Sequence, residues 1–378
     1  MANTSNTLVD DILNFDPQNL SAFQEKGPKA DPNIYKTNPK NAKSDDGVYR
    51  SKIKLILNPF SPKDSIIDQA QYWLNRMDGS LAVRSSLSEG DKNCPLFKAW
   101  KRLWFSGDEA KKNFSKTVYD KNESKWVLVQ ILEDENQPEL VGQIRVMKLA
   151  KDIYEKLNAK MKPSAASGKA PYPVMDYVIG LVLDMEVQPG PDDPSAPERK
   201  QREISYSLCN FGDYATCIKT DGTPILSDDE AELVDTYVTA INDAQNGKTD
   251  KKRQAGAAKL TEVRPQIRPI YEKVISYIAE NVLDTTTGEK LDIVKYCGFQ
   301  PWDAATQKAV AEFTEMTDAC IDPQTMTYEQ FKKAQEAATV GVAAAVSTTD
   351  STDAPTETAA PVAQVITPAA PGDDDVPF

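Results

Sequence analysis

The stretch from Lys125 to Met161 constrains the fold of this chain more than any other. It opens with an apolar run, Trp126-Val127-Leu128-Val129-Gln130-Ile131-Leu132, rich in β-branched and aromatic residues, which predicts a buried strand. An acidic loop with a proline follows from Glu133 to Glu139. A second strand alternates, with Ile144 and Val146 on one face and Gln143, Arg145 and Met147 on the other. Leu149, Ile153, Leu157 and Met161 then recur at i+4, which puts them on one face of a helix. Lys148, Lys151, Lys156 and Lys160 lie mostly elsewhere on it. A hairpin feeding a helix, with cations near the strand end, predicts half of a small barrel with a charged groove.

The upstream chain supplies more strands. From Val48 to Leu57, Tyr49, Ser51, Ile53, Leu55 and Leu57 share one face, and Arg50, Lys52 and Lys54 the other. The cations form either a basic ridge or the charged guard of a solvated edge strand. Tyr72-Trp73-Leu74-Asn75-Arg76 and Leu81-Ala82-Val83-Arg84 flank Asp78-Gly79, a hairpin-turn signal. Four or five strands by Val146 suit a small antiparallel barrel of the OB type. Strand character returns over Tyr177–Val187 and at Ile204-Ser205-Tyr206-Ser207-Leu208. The predicted class is α+β: an OB-type antiparallel β-barrel core over 47–222, carrying a basic and aromatic insertion at 90–125.

That insertion interleaves Lys92, Lys98, Lys101, Arg102, Lys111, Lys112, Lys116, Lys121 and Lys125 with Phe97, Trp100, Trp104, Phe105, Phe114 and Tyr119. Cations can track the phosphates of a single strand while ring faces stack on unpaired bases, at ~1–3 kcal/mol per base. Trp100 and Trp104, four apart, also fit the buried side of a local helix.

Net charge is −13, which on its own argues against a nucleic-acid partner. The distribution is uneven. Gly47 to Met161 holds 20 Lys+Arg against 15 Asp+Glu, a net of +5, leaving −18 for the rest. With no histidine, the commonest general base and most zinc sites are absent. There is no P-loop or Gly-rich nucleotide fingerprint either, so an enzyme is not expected. Five scattered cysteines predict free thiols in a reducing compartment. No apolar run is long enough to span a bilayer, and no secretory signal opens the chain.

The Lys125–Met161 stretch closely resembles the single-stranded DNA-binding protein of T4-like bacteriophages. That family has an aromatic-led strand, an acidic proline loop, a second strand and a lysine-bearing helix. The helix stands here as Lys151-Asp152-Ile153-Tyr154-Glu155-Lys156-Leu157-Asn158-Ala159-Lys160-Met161. The resemblance implies an OB-fold core that binds single-stranded DNA. Implied or candidate contacts are Arg50, Lys52 and Lys54 on the first strand, and Tyr72, Trp73, Arg76 and Arg84 on the hairpin. Trp100, Lys101, Arg102, Trp104, Lys111, Lys112 and Tyr119 come from the insertion. Lys125, Trp126, Arg145, Lys148 and Lys151 follow, then Tyr206. Phe211 and Tyr214 keep the spacing of two family aromatics that contact DNA. The family's insertion holds zinc through one histidine and three cysteines. Here only Asn93-Cys94-Pro95 resembles that site, so no structural zinc or other cofactor is expected, and Trp100, Trp104 and Phe105 are expected to hold the insertion by packing. The family's basic cooperativity motif has no match in the acidic arm, residues 1–46.

After Gly222 the pattern turns helical. Ser227-x-x-Glu230 is a capping box, Gly247–Lys259 reads as a basic flexible linker, and Arg268–Leu283 as a second helix. Asp303 starts a third, and Thr327-x-x-Gln330 caps a fourth. Glu315-Met316-Thr317 and Tyr328-Glu329-Gln330-Phe331 resemble the family's last helical segment. This helical region spans 223–346. Residues 347–372 read as a disordered linker by composition. The tip, Asp373-Asp374-Asp375-Val376-Pro377-Phe378, resembles the terminal peptide of bacterial single-stranded DNA-binding proteins. It would seat Phe378 in an apolar pocket of a partner with a basic rim.

The expected function is to coat and protect unpaired DNA in phage replication, recombination and repair, in the cytoplasm of the bacterial host. The acidic tip would recruit a helicase, primase, polymerase or nuclease. The alternative is a virion-packaged or scaffolding protein whose OB-like core does not bind DNA.

Overall fold

The structure is a computed structural model and describes residues 31–167, 170–190 and 204–346. The chain divides after Thr325 into two units. The first is α+β. Its strands are β1 (Tyr49–Ile56), β2 (Ile66–Arg76), β3 (Gly79–Ser85), β4 (Asp120–Asp134), β5 (Ile144–Leu149), β6 (Leu181–Pro189), β7 (Ile204–Ser205) and β8 (Asn210–Tyr214), all antiparallel in their pairings. Its helices are α1 (Pro95–Trp104), α2 (Glu109–Val118), α3 (Lys151–Met161), α4 (Asp228–Asn246), α5 (Asp250–Asn281), α6 (Ile293–Cys297) and α7 (Ala304–Asp318). The second unit is described by α8 (Tyr328–Val346).

The central element is β4, whose 15 residues reach ~50 Å. Its C-terminal half lies between β1 and β5, and its N-terminal half pairs with β2. After β5 the chain runs through α3 and returns as β6 beside β1. The spatial order β6-β1-β4-β5 is a Greek key, with β8 added outside β6. Alternation sends Tyr49, Ile53 and Leu55, Val127, Val129 and Ile131, and Leu183, Met185 and Val187 into one core, together with Ile153 and Leu157 of α3. The i+4 pattern predicted that helix face.

The sheet is open, where the sequence predicted a barrel. The outer edge of β5 is occupied by the arm: Tyr35 N–H donates to Val146 O, and Val146 N–H to Asn33 O, each at 2.8 Å. On this side β8 pairs only with β6. The Tyr35 ring drops into the core, its hydroxyl 2.8 Å from Ser51 Oγ.

The opposite face of the Greek key is also covered. Ile56, Ile67, Leu128, Ile144 and Val146 pack with α4, α5 and α6 through Val234, Val238, Val263, Ile267, Ile270, Val274, Ile278 and Ile293. This burial changes the reading of β1. Pairing with both β4 and β6 makes it a central strand, and both of its faces are largely buried.

Two more expectations need correction. The β2–β3 hairpin is outside the Greek key and extends the N-terminal half of β4, so the chain between β1 and β4 is 57–119 rather than 90–125. Met77 and Asp78 form its loop, and Gly79, at φ +131, supplies a conformation other residues rarely adopt. The predicted linker at 247–259 is mostly the start of α5. Thr249 accepts from Lys252 N–H, Lys252 pairs with Asp243 at 2.9 Å, and a Cβ on Gly256 would collide with the backbone of Asp243 and Ala244 on α4. Pro265 and Pro269 stand inside this 32-residue helix on its exposed side.

Helix starts fared better. The Ser227/Glu230 capping box forms, and Asp303 accepts from Thr306 N–H. Thr327 and Gln330 exchange their bonds at 2.9 and 3.3 Å. No helix among the described residues is long and apolar enough to cross a membrane. Residues 1–30 of the arm, the linker 347–372 and the tip Asp373–Phe378 lie outside the described residues.

Candidate nucleic-acid interface

Strand register brings together residues that the sequence keeps apart. Gln71 pairs with Arg84 on one side and Asn122 on the other, Trp73 with Ala82 and Asp120, and Gln69 with Ser124. Ile67 pairs with Trp126, which pairs in turn with Lys148. Side chains alternate, so Trp73, Gln71, Arg84, Asn122, Ser124, Trp126 and Lys148 share one face of β3-β2-β4-β5. The rows from Arg84–Gln71–Asn122 to Ile67–Trp126–Lys148 contain no carboxylate.

Trp73 is 38% exposed. Trp126 is half-buried, its indole N–H donating to Ser124 Oγ at 3.0 Å and Gln69 Oε1 at 3.2 Å. The Lys148 ammonium reaches Asn122 Oδ1 at 3.5 Å, and the surrounding protein holds its pKa below the usual lysine range by desolvation. One Arg84 nitrogen is engaged, donating to Gly298 O at 3.0 Å.

The middle of this face is covered by α6, where Ile67 and Gln69 are buried and Gln69 Nε2 donates to Cys297 O at 2.6 Å. Beyond it a cleft of about 410 Å³ shares Trp126 and Lys148 and adds Lys36, Thr37 and Tyr206. Burial raises the pKa of the Tyr206 hydroxyl, which hydrogen-bonds Thr37. The cleft therefore offers two half-buried ring systems and two lysines. The opposite side of the same strands differs. There Lys121 pairs with Glu123 at 2.8 Å and Lys125 with Asp68. Lys125 also sits 4.7 Å above the Tyr154 ring.

The helical insertion packs on that opposite side. Leu96, Ala99 and Leu103 of α1 and Val118 of α2 meet Tyr72, Leu74 and Val83 of the hairpin and Val310 and Phe313 of α7. These aliphatic and hairpin side chains form the core that holds the insertion; of the predicted Trp100, Trp104 and Phe105, Trp100 packs against it. The tryptophans flank the packed stripe and stay half-buried. Phe97 stacks on Trp100 at 5.7 Å and Trp100 on Trp104 at 5.2 Å. Lys112 and Lys116 stand 5.5 and 5.3 Å from the Trp104 ring centre. Lys101 and Lys111 are exposed, and neither has a carboxylate partner among the described residues.

Other sequence candidates are withdrawn from solvent or paired. Lys54 is fully buried, its ammonium donating to Tyr177 O at 3.1 Å and to Ala215 O, and desolvation lowers its pKa. Tyr72 is buried with no partner for its hydroxyl among the described residues, and Tyr119 donates or accepts at 2.7 Å with Thr317 Oγ1. Arg145 is 9% exposed and bonded to Ile144 O and Gln143. These four cannot contact a ligand as the fold stands.

The basic ridge of β1 is neutralised. Arg50 pairs with Asp46 at 2.5 Å and Lys52 with Glu133 at 2.9 Å, and their cross-strand neighbours on β6 are Glu186 and Asp184. Arg76 pairs with Asp78 at 3.2 Å, Arg102 with Asp318 at 2.5 Å and Lys151 with Glu155 at 3.7 Å. Phe211 lines a separate cleft of about 780 Å³ with Lys156, Lys160 and Tyr172. Tyr214 donates to Asp235 of α4.

Sequence reasoning missed Gln71, Asn122, Lys36 and Thr37. Only the pairing Gln71↔Asn122 and the arm's approach to β5 bring them to the surface described above. Cys94 caps α1 and accepts from Ser85 Oγ at 3.0 Å, and no group of three or more His, Cys, Asp or Glu among the described residues is placed to hold a metal ion. No protein-family model matches the chain, and no curated protein matches it.

Proposed function

We propose that this protein binds single-stranded DNA along the β3-β2-β4-β5 face and the cleft that continues it. The observation that carries the reading is the set of carboxylate-free rows from Arg84–Gln71–Asn122 to Ile67–Trp126–Lys148, ending beside Tyr206 and Lys36, with Trp73 one row beyond it opposite Asp120. Aromatic faces for bases, cations for phosphates and neutral amides between them are what a sequence-tolerant single-strand site requires. The strand order supports it. A Greek key with a fifth strand is what a partly open OB-type barrel needs, and OB barrels bind oligonucleotides on the face of their second and third strands. In this reading those strands are β4 and β5, which carry Trp126 and Lys148.

The protein acts in this reading as a binding protein, not an enzyme. It coats and protects unpaired DNA during phage replication, recombination and repair in the bacterial cytoplasm. Its tip, Asp373 to Phe378, recruits replication proteins. The role of the tip rests on the sequence alone.

Equilibrium titration with oligo-dT and with duplex of equal length, followed by tryptophan fluorescence at low and high salt, tests the reading. Quenching by the single strand only, weakening steeply with salt, is the expected result. One observation favours the alternative of a packaged or scaffolding protein: α4, α5 and α6 cover the other half of the β4–β5 outer face. Binding to neither ligand would select it.

A further inference from the structure

The two aromatic and basic surfaces lie on opposite sides of the β2–β3 hairpin. Trp73 faces one way, while Tyr72 and Leu74 face the other and pack against α1. Between Pro95 and Val118 there are six cations, and the two carboxylates, Asp108 and Glu109, both stand at the start of α2. Neither surface can therefore be part of the other's groove.

Resting on the reading above, we propose that the α1–α2 ladder is a second strand-binding surface. It is loaded only by a strand long enough to fill the Trp73–Trp126 face and then pass around the hairpin. The ladder is suited to this by how it is capped. Trp104 has Trp100 against it at 5.2 Å and Lys112 and Lys116 over its ring. Those ammonium groups hold the place of a base. When a strand arrives, they leave the ring for phosphates and the freed ring surface takes a base. No covalent step is involved, and the exchange replaces two cation–π contacts by charge-assisted bonds and a stack. Phe105, 49% exposed at the end of α1 and 6.5 Å from Trp100, extends the ladder toward solvent.

The test uses the full chain, two ligands and two variants. An oligo-dT of about eight nucleotides and one of about twenty-four bracket the span of a single OB surface, ~4–16 nucleotides. The triple variant Lys111→Gln, Lys112→Gln, Lys116→Gln changes surface side chains only, and Trp73→Ala marks the first surface. In the wild type the longer strand should show the steeper salt dependence. The triple variant should bind the short strand as the wild type does. For the long strand its log–log salt slope should fall by about 2, three phosphates at ~0.7 each. Trp73→Ala should weaken both strands. Equal weakening of both by the triple variant would overturn the proposal, because the ladder would then belong to the first surface. No effect on either would also overturn it and would leave the ladder to a different ligand, such as an acidic peptide. Failure of the wild type to bind either strand would instead remove the reading on which the proposal rests.

Discussion

The Tyr35 hydroxyl donates to Asp134 Oδ2 at 2.7 Å, joining the arm to the far end of β4 inside the Greek-key core. Asp134 is 4% exposed and also accepts from the Tyr49 hydroxyl at 2.7 Å and from Asn136 and Gln137 N–H. A buried carboxylate with four donors is well satisfied, and losing one leaves charge uncompensated. Tyr35→Phe should cost about 1.5–3 kcal/mol, a bond to a charged acceptor. It should also speed hydrogen exchange of Tyr35 and Val146 amides. Unchanged stability together with unchanged exchange would mean that the arm is not held by this bond.

The buried tyrosines set an alkaline limit. Burial raises the hydroxyl pKa of Tyr35, Tyr49, Tyr72, Tyr119, Tyr177 and Tyr271 above the ordinary 10.0. Above pH 10.0 the unfolded chain loses these protons while the folded chain keeps them, so stability must fall as pH rises. Denaturant midpoints should drop progressively above pH 10, and less steeply in Tyr35→Phe.

Lys54 acts in the opposite direction. Desolvation lowers its folded pKa below the ordinary 10.5. Between the two values the unfolded chain binds more protons, so this group makes stability rise with pH until the tyrosines begin to titrate. Lys54→Met should abolish that rising limb and leave single-strand affinity unchanged. Loss of affinity would return Lys54 to the interface.

Two neighbouring tyrosines should respond differently to loss of their hydroxyls. Tyr72 has a buried hydroxyl without a partner among the described residues, whereas Tyr119 is bonded to Thr317. Tyr72→Phe should stabilise by about 1 kcal/mol and Tyr119→Phe destabilise by a similar amount. Thermal denaturation of the two variants checks the pair, and neither should alter binding.

Much of the core was legible in the sequence. The i+4 run from Leu149 gave α3, and the caps at Ser227, Asp303 and Thr327 marked three helix starts, because these signals are local. The misreadings came from long-range pairing. Lys54 alternates correctly with Lys52, but the distant chain at Tyr177 and Ala215, whose carbonyls accept from its ammonium, makes its site an interior one. Pro265 and Pro269 hid the first half of α5, since an exposed proline on a well-packed helix costs less than its packing returns. Trp73 and Trp126 were both singled out, but their common face follows from the register Ile67↔Trp126, which no local pattern contains.

In the proposed interface, Trp73 is the residue on which binding should depend most. Trp73→Ala should weaken oligo-dT binding by about 1–3 kcal/mol, one base stack. With 38% of the residue exposed, stability should change little. Lys148→Gln should lower the salt slope by ~0.7. A folded Trp73→Ala protein of full affinity would exclude this face.

The most direct measurement reads the indole N–H resonances of the five tryptophans, at 73, 100, 104, 126 and 302, while a short oligo-dT is added. Trp73 and Trp126 should move together as the site saturates, while Trp100 and Trp104 stay where they were. Saturable binding that shifts only Trp100 and Trp104, or shifts no indole at all, would contradict the proposed interface.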